Sequence, residues 1–178
     1  MRFKFLIAGF SGPLVRVLSL EPESCFNSVS TQALQGNPTA VGILEINDQL
    51  YLHIGIENKG VGTLVRTIVD SVTGGLSDSR SQFLGHEKIT LSKITLQGKN
   101  SILALSSKSF LCYSHMNQYT MTPLSYTSLE HASRFSSTQC SEGIIGVRGT
   151  ELRIIQIERP GDIFTQRIMP TKYTPTKM

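Results

Sequence analysis

Short segments in which apolar and polar residues alternate run through most of the chain. Leu50, Leu52, Ile54 and Ile56 occupy every second position, the spacing that puts side chains on one face of a β-strand. Other apolar runs are brief, rich in Val, Ile, Leu, Tyr and Thr, and bounded by Gly, Pro, Asn, Ser or Asp, as strands usually are. The further predicted strands are 3–8, 14–20, 40–46, 63–70, 89–91, 94–96, 101–106, 110–114, 143–147, 152–157 and 164–168. The pattern therefore predicts an all-β protein with about a dozen strands.

A weak internal repeat consists of a glycine placed four residues before an arginine. The pairs are Gly12 with Arg16, Gly62 with Arg66, and Gly149 with Arg153. The first two arginines lie 50 positions apart (66 − 16) and the last two 87 (153 − 66), so a fourth copy is expected near 108–113, where both marker residues are missing. A period of about 40 to 50 residues that carries four short strands is typical of β-propeller blades. Chance similarity between strands that follow glycine turns remains the alternative.

The repeat predicts a partial WD40-like β-propeller with about four blades of four antiparallel strands. We expect residues 1–178 to form a single propeller segment, with blades near 1–46, 50–96, 101–147 and 143–178. Closed propellers have typically 4 to 8 blades, so the chain is predicted to be a segment of a larger multi-propeller protein. An unclosed arc would expose strand edges at its ends and be marginally stable or sticky.

Charge and composition argue against several classes of protein. The net charge is +4 and the pI about 9.1, but the basic residues are scattered singly, which disfavours direct nucleic-acid binding. The apolar run at 5–10 is broken by Ser11-Gly12-Pro13 and is too short for a signal peptide or a membrane span. Three widely spaced cysteines form no C-x-x-C pair, which favours a reducing compartment. We expect a soluble intracellular protein with no membrane contact.

The sequence contains no recognisable catalytic or cofactor motif. Gly60-Val61-Gly62 begins like a dinucleotide fingerprint, but the third glycine is missing and a strand follows instead of a helix. His53, His86, His115 and His131 are isolated, and His53 lies between the apolar positions of its strand, which predicts a solvent-side or blade-interface position. Cys112 and Cys140 are expected to be packed small residues rather than nucleophiles. The sequence therefore predicts no enzyme, no cofactor, no metal and no small-molecule substrate.

Two segments are more elaborate than simple connections between strands. Residues 70–80 carry Asp, Thr and paired Gly, which cap their own turns, so this segment is predicted to be a hairpin loop. Residues 122–144 form a long connection that is either a loop with a short strand or an interaction surface. In that connection Leu124, Leu129, Ala132 and Phe135 are expected to dock on the propeller. The candidate protein-contact residues are Asp78, Arg80, Tyr126, Glu130 and Arg134.

The longest distinctive string is Pro-Leu-Ser-Tyr-x-x-Leu-Glu-x-Ala-Ser-x-Phe-x-Ser-x-Gln-Cys-x-Glu-Gly-Ile at 123–144. Together with the segments at 51–56, 64–67, 105–114, 152–154 and 173–177, it resembles the splicing factor 3B subunit 3 family over nearly the whole chain. Members carry three propellers, and this chain resembles the end of the middle one passing toward the next. It departs from the family pattern in a longer turn at 57–62 and a shorter segment at 36–48, both of which put partner contacts in doubt more than the fold.

The resemblance implies a non-enzymatic scaffold of the splicing factor 3B complex of the U2 snRNP, which supports branch-site recognition in pre-mRNA splicing. It implies a nuclear protein whose partners are the other splicing factor 3B subunits and which meets RNA only through the complex. Two alternatives remain. One is a propeller adaptor of a ubiquitin ligase or of a cleavage and polyadenylation complex. The other is a direct RNA-binding propeller, whose affinity would fall steeply with salt.

Overall fold

The computed structural model describes residues 4–124 and 128–157 and the backbone of one further strand at 166–169. The described part is all-β, apart from a short 3-10 turn at Pro22–Ser24. The strands are β1 Phe5–Phe10, β2 Leu14–Ser19, β3 Ser28–Ala33, β4 Asn37–Ile46, β5 Gln49–Asn58, β6 Val61–Val69, β7 Leu76–Gly85, β8 Thr90–Leu96, β9 Lys99–Leu105, β10 Phe110–His115, β11 Gln118–Pro123, β12 His131–Phe135, β13 Gly143–Arg148, β14 Glu151–Ile155 and β15 Gln166–Met169. In these residues no helix is long and apolar enough to cross a membrane.

The strands form four antiparallel sheets, and within each sheet consecutive strands of the chain are hydrogen-bonded to each other. Their orders are β1-β2-β3, β4-β5-β6-β7, β8-β9-β10-β11 and β12-β13-β14-β15. Consecutive four-stranded meanders of this kind are the building units of a propeller. The predicted all-β fold and the predicted four-stranded units are therefore confirmed, with three strands described in the first sheet.

The sheet limits differ from the predicted blade limits. The sheets span 5–33, 37–85, 90–123 and 131–169, whereas the predicted blade at 50–96 begins in β5 and ends in β8. The predicted blade limits were counted from the strands that carry Arg16, Arg66 and Arg153, and these are second or third strands of their sheets. The blade boundaries were shifted by about one strand because the polar outer strands gave no signal in the sequence.

Four strands, β3, β7, β11 and β12, were not predicted. Each is an edge strand of its sheet and carries mostly exposed or half-buried residues. An edge strand needs no continuous apolar face, and polar residues protect it from pairing with other chains. The predicted loop at 70–80 is therefore wrong for 76–80, which belongs to β7, and the connection at 122–144 contains β12.

Four hairpins turn through two residues that both have positive φ. These residues are Asn47 and Asp48, Lys59 and Gly60, Gln97 and Gly98, and Met116 and Asn117. Positive φ at both positions is the type I′ geometry, whose twist matches that of the flanking strands. The predicted turn glycines Gly12 and Gly149 lie in turns, but Gly62 lies within β6. Gly62 lies in a strand because β5 and β6 extend further than predicted, to Asn58 and from Val61. The turn between them consists of Lys59 and Gly60.

The chain divides into two compact units, residues 1–89 and 90–178. In the first unit Leu50, Leu52, Ile54 and Ile56 are all buried in one apolar cluster, as their alternation predicted. Val15, Val65 and Val69 complete the buried part of this cluster. The inner strands of the unit are therefore held by burial of apolar surface, the main favourable contribution to folding.

The second unit buries its own apolar cluster, which includes Leu103, Leu111, Tyr113 and Ile155. Leu124 and Leu129 belong to this cluster, and Ala132 packs against it. The predicted docking of the 122–144 connection is therefore confirmed for these three residues. Phe135 is half-buried.

Candidate protein-contact site

Arg66 forms the centre of a charged cluster on the second sheet. It lies on β6 opposite Arg80 of β7, and its Nη2 donates to Asp78 Oδ2 at 2.8 Å. Arg80 Nε donates to the other carboxylate oxygen at 3.1 Å. The guanidinium of Arg66 also stacks over the ring of Tyr51, 5.4 Å from its centroid, an arrangement that favours a cation. Two arginines thus share one carboxylate, and the three side chains carry a net charge of +1.

A β-bulge places Asp78 in this cluster. The pairing of β6 with β7 shifts between Arg66 and Ile68, and Asp78 has a φ of 45°. Aspartate tolerates this left-handed conformation better than most residues, and a bulge redirects the side chains next to it. The bulge therefore directs the Asp78 carboxylate to the arginines of both strands.

A polar network lies beside the bulge. The buried hydroxyl of Thr67 is 2.8 Å from that of Ser79, and Gln32 Nε2 of β3 donates to Ser79 Oγ at 2.8 Å. Thr67 also donates to Gln32 Oε1 at 3.4 Å. The network satisfies a buried hydroxyl and joins the edge strand of the first sheet to the edge strand of the second.

A groove of about 520 Å³ opens next to the network. Its lining comprises Gln32, Ala33, Leu34, Gln35, Ile56, Asn58, Lys59, Val61, Thr63, Val65, Ser79, Arg80 and Ser81. The two charged residues of this lining, Lys59 and Arg80, are both basic. The sequence-predicted residues Asp78 and Arg80 are therefore brought together, at the margin of a groove that the sequence did not reveal.

The turn that precedes β7 is capped by its own side chains, as predicted. Asp70 Oδ1 accepts hydrogen bonds from the backbone N–H groups of Val72 at 2.8 Å and Thr73 at 3.1 Å. These bonds stabilise the charged carboxylate and hold the pKa of Asp70 below its ordinary value. Gly74 has a φ of +71°, a conformation that glycine adopts at no steric cost. The turn therefore fixes where β7 begins.

Glu130, a predicted contact residue, and Gly149, a predicted repeat residue, are in contact in the second unit. Glu130 Oε1 accepts a hydrogen bond from the Gly149 backbone N–H at 3.1 Å. Next to it, Arg148 Nη1 donates to Ser128 Oγ at 2.8 Å. These bonds attach the end of the 122–144 connection to the β13–β14 hairpin. The candidate residue Tyr126 lies outside the described residues.

Arg134 is exposed on β12 and lines a second hollow of about 400 Å³. Phe135, Ser141 and Glu142 also line it. Glu142 accepts a hydrogen bond from the Gly98 backbone N–H at 2.7 Å, which ties this hollow to the β8–β9 turn. Arg134 therefore does not meet Glu130 in a shared cavity, although both lie on the same connection.

The three repeat arginines have different surroundings. Arg66 and Arg153 lie on β6 and β14, each the third strand of a four-stranded sheet, and each is paired with an acid, Asp78 and Glu151 respectively. Arg16 is exposed on β2 and stacks over the ring of Phe10 at 5.3 Å. Arg66 and Arg153 therefore lie on equivalent strands of their sheets, but the three repeat arginines do not share one kind of contact.

His53 is fully buried, so of its two predicted positions the solvent-side one is wrong, and the blade-interface one stays a prediction. It lies on β5 opposite Arg66 of β6. Burial, and next the positive charge of Arg66, lower the pKa of His53 to about 4. The side chain is therefore neutral at physiological pH and belongs to the interior. In the part of the chain that the structure describes, no group of His, Cys, Asp and Glu could hold a metal ion.

Sequence reasoning missed Tyr51, Gln32, Thr67 and Lys59 as members of this site. For Tyr51 a signal existed: it alternates with Leu50 and Leu52, so it had to face away from the apolar cluster, toward the side on which Arg66 lies. Gln32 gave no signal because it meets Ser79 across 47 positions of sequence. Contacts of that range depend on the fold.

Comparison with known proteins places this architecture in a family. A family model described as the RSE1/DDB1/CPSF1 second beta-propeller matches residues 3–157. The chain belongs to this family. The expectation that this chain comes from the middle propeller is thereby confirmed for residues 3–157. Its continuation toward a next propeller stays a prediction.

Relatives of this second propeller include splicing proteins from distant organisms. Splicing factor 3B subunit 3 of Danio rerio is 40% identical over 190 residues, covering 99% of this chain. Spliceosome-associated protein 130 A of Arabidopsis thaliana is 41% identical over 99% of the chain, and Pre-mRNA-splicing factor RSE1 of Pyricularia oryzae 42% over 100%. The chain spans 15% of the length of each of these three relatives.

Proposed function

We propose that this chain acts in the nucleus as a non-enzymatic scaffold segment of the splicing factor 3B complex, supporting branch-site recognition by the U2 snRNP through protein contacts. The observation that carries the proposal is identity of 40–42% across 99–100% of the chain to three proteins named as splicing or spliceosome-associated factors. On this proposal residues 1–178 form a single propeller segment, its partners are the other splicing factor 3B subunits, and it meets RNA only through the complex.

The geometry supports a scaffold in two ways. Type I′ hairpins fix the strand pairing of the second and third sheets, while their outer strands β7 and β11 stay mostly exposed or half-buried. Surface elements fixed on such a framework are suited to recognition. His53, whose pKa is lowered to about 4, is fully buried and does not line either cavity. A group sealed from solvent in this way is not placed to act as an acid or base on a substrate.

We assign the contacts of the scaffold to two surfaces. The first is the margin of the unit 1 groove, with Asp78 and Arg80, and the second is the 128–135 region, with Glu130 and Arg134. Arg80 and Arg134 are exposed, and the backbones that carry them are fixed by sheet pairing. Tyr126 stays a prediction from the sequence alone.

The decisive experiment is affinity purification of the tagged chain from cells of its own organism, with mass spectrometry of the proteins and amplification of U2 snRNA. We expect splicing factor 3B subunits and U2 snRNA above the level of an untagged control. Enrichment of ubiquitin-ligase subunits or of cleavage and polyadenylation factors in their place would overturn the proposal in favour of the adaptor alternative.

Ribonuclease treatment before the purification separates a protein scaffold from a direct RNA binder. A protein scaffold keeps its protein partners after the RNA is digested, because protein contacts hold them. Loss of all partners on digestion, together with a steep fall of binding with salt, would support the RNA-binding alternative.

A further inference from the structure

The groove of unit 1 lies between two strand edges. β3 is the outer strand of the first sheet and β7 the outer strand of the second, so in the part of the chain that the structure describes each has one side outside the sheet pairing. Gln32 and Ala33 of β3 line the groove on one side, and 79–81 of β7 line it on the other. Strand edges bind extended peptides through main-chain hydrogen bonds.

The floor of the groove is apolar. Val61, Thr63 and Val65 alternate along β6 on one face, and Ile56 of β5 pairs with Thr63. Leu34, which follows β3, also contributes. Val61 and Thr63 are only half-buried, so this part of the sheet face is open to an incoming side chain. In an extended peptide every second side chain points to the same side, and this spacing matches a floor built from alternate residues of a strand.

The charges around the groove are predominantly basic. The groove lining carries Lys59 at the β5–β6 turn and Arg80 of β7, and it contains no acidic residue. The Arg80 side chain is 71% exposed although Asp78 is bound to it. Such a field attracts an acidic partner and repels a basic one.

We propose that this groove binds an extended segment of a partner protein in which acidic residues alternate with apolar ones. The apolar side chains lie on the open part of the floor, at Val61 and Thr63, and the acidic ones face Lys59 and Arg80. The groove volume of about 520 Å³ lies within the range of about 300 to 1,000 Å³ usual for ligand sites. The proposed scaffold function supplies only the biological setting of this inference.

Fluorescence anisotropy with the full chain tests the inference. One labelled probe is a short peptide that alternates glutamate and valine, and the matched probe alternates lysine and valine. We expect the glutamate peptide to bind about tenfold or more tightly than the lysine peptide, and to weaken as salt rises. Lys59→Glu is expected to remove this preference, and Arg80→Gln to reduce it. Lys99→Glu, at the first residue of β9 in the other unit, is the matched control and leaves binding unchanged.

Three results would overturn the inference. The first is equal binding of the two peptides, and the second is an equal effect of Lys59→Glu and Lys99→Glu. The third is tighter binding of single-stranded oligouridine in competition with the glutamate peptide, which would assign the groove to RNA. Co-purification of splicing subunits without peptide binding removes the groove assignment alone, whereas peptide binding without those subunits removes the scaffold proposal.

Discussion

Arg66 of β6 and Asp78 of β7 are joined by an ion pair of 2.8 Å across the point where the two strands fall out of register. The Arg66 side chain is 15% exposed and that of Asp78 40%. Removing one member of a partly buried pair leaves the other with reduced compensation for its lost hydration. The relationship links a local backbone feature, the bulge, to the charge beside the groove.

Asp78→Asn tests this ion pair with little change of shape. Asparagine also tolerates positive φ, so the backbone is retained while the charge is lost. We expect the free energy of unfolding to fall by about 1 kcal/mol, measured by urea denaturation. Asp48→Asn, at a hairpin-turn residue with a φ of 59°, is the matched control with an expected change near zero. Equal effects of the two variants would show that conformation, not the ion pair, determines the cost.

His53 makes stability depend on pH in a defined direction. In the unfolded chain its pKa is near 6.5, and in the folded chain it is about 4. The unfolded state therefore takes up this proton first as the pH falls, and the free energy of unfolding decreases between pH 6.5 and 4. The expected total is on the order of 3 kcal/mol, with no further change from His53 at lower pH.

The measurement is urea denaturation of the full chain in steps between pH 7 and 4.5. His53→Gln is expected to flatten the fall in this window. An unchanged slope in His53→Gln would assign the effect to other groups. Asp70 acts at lower pH, because its lowered pKa stabilises the fold only while the carboxylate is charged.

The sequence predicted the inner strands well because burial imposes a pattern. Leu50, Leu52, Ile54 and Ile56 alternate because one face of β5 has to enter the apolar cluster. β7 was missed because its residues 77–83 are all exposed. An exposed edge strand has no need for alternating apolar residues, so its sequence carries no strand pattern. Asp78 was selected as a contact residue, but its bulge depends on the pairing of β6 with β7, which a single sequence does not specify.

The groove was harder still to predict. It requires β3 to lie beside β7, and the bond from Gln32 to Ser79 joins residues 47 positions apart. In the 122–144 connection, by contrast, Leu124 and Leu129 were recognised as docking residues because isolated large apolar residues in a polar segment are generally buried. Local pattern thus determined which residues enter the core, and tertiary pairing determined which polar residues meet.

Gly55→Ala tests the close approach of β5 to Ile89. A Cβ at Gly55 would lie 2.8 Å from Ile89 Cγ2 and 2.9 Å from Ile89 Cβ, and Ile89 is fully buried. We expect a loss of about 1 to 3 kcal/mol from overpacking, seen as a lower thermal midpoint. At Gly12, in an exposed turn, the nearest atom to an added Cβ is Leu14 Cδ2 at 3.9 Å, so Gly12→Ala is the control and costs little. Partial rescue of Gly55→Ala by Ile89→Ala would identify the clash as the cause.

Glu142→Ala tests the bond between the β8–β9 turn and the segment before β13. The Glu142 carboxylate accepts from the Gly98 backbone N–H at 2.7 Å, and Gly98 has a φ of +71°, so few other residues could replace it in this turn. A hydrogen bond to a charged acceptor contributes about 1.5 to 3 kcal/mol when buried, and less at an exposed site. We therefore expect the free energy of unfolding to fall by about 1 kcal/mol in Glu142→Ala and by less in Glu142→Gln, which keeps an acceptor oxygen.

Hydrogen exchange at the Gly98 amide reports the bond to Glu142 directly. The exchange should accelerate in Glu142→Ala and stay slow in Glu130→Ala, because Glu130 is bonded to Gly149 instead. Equal acceleration in both variants would mean that the second unit loosens as a whole and that Glu142 has no specific role at this turn.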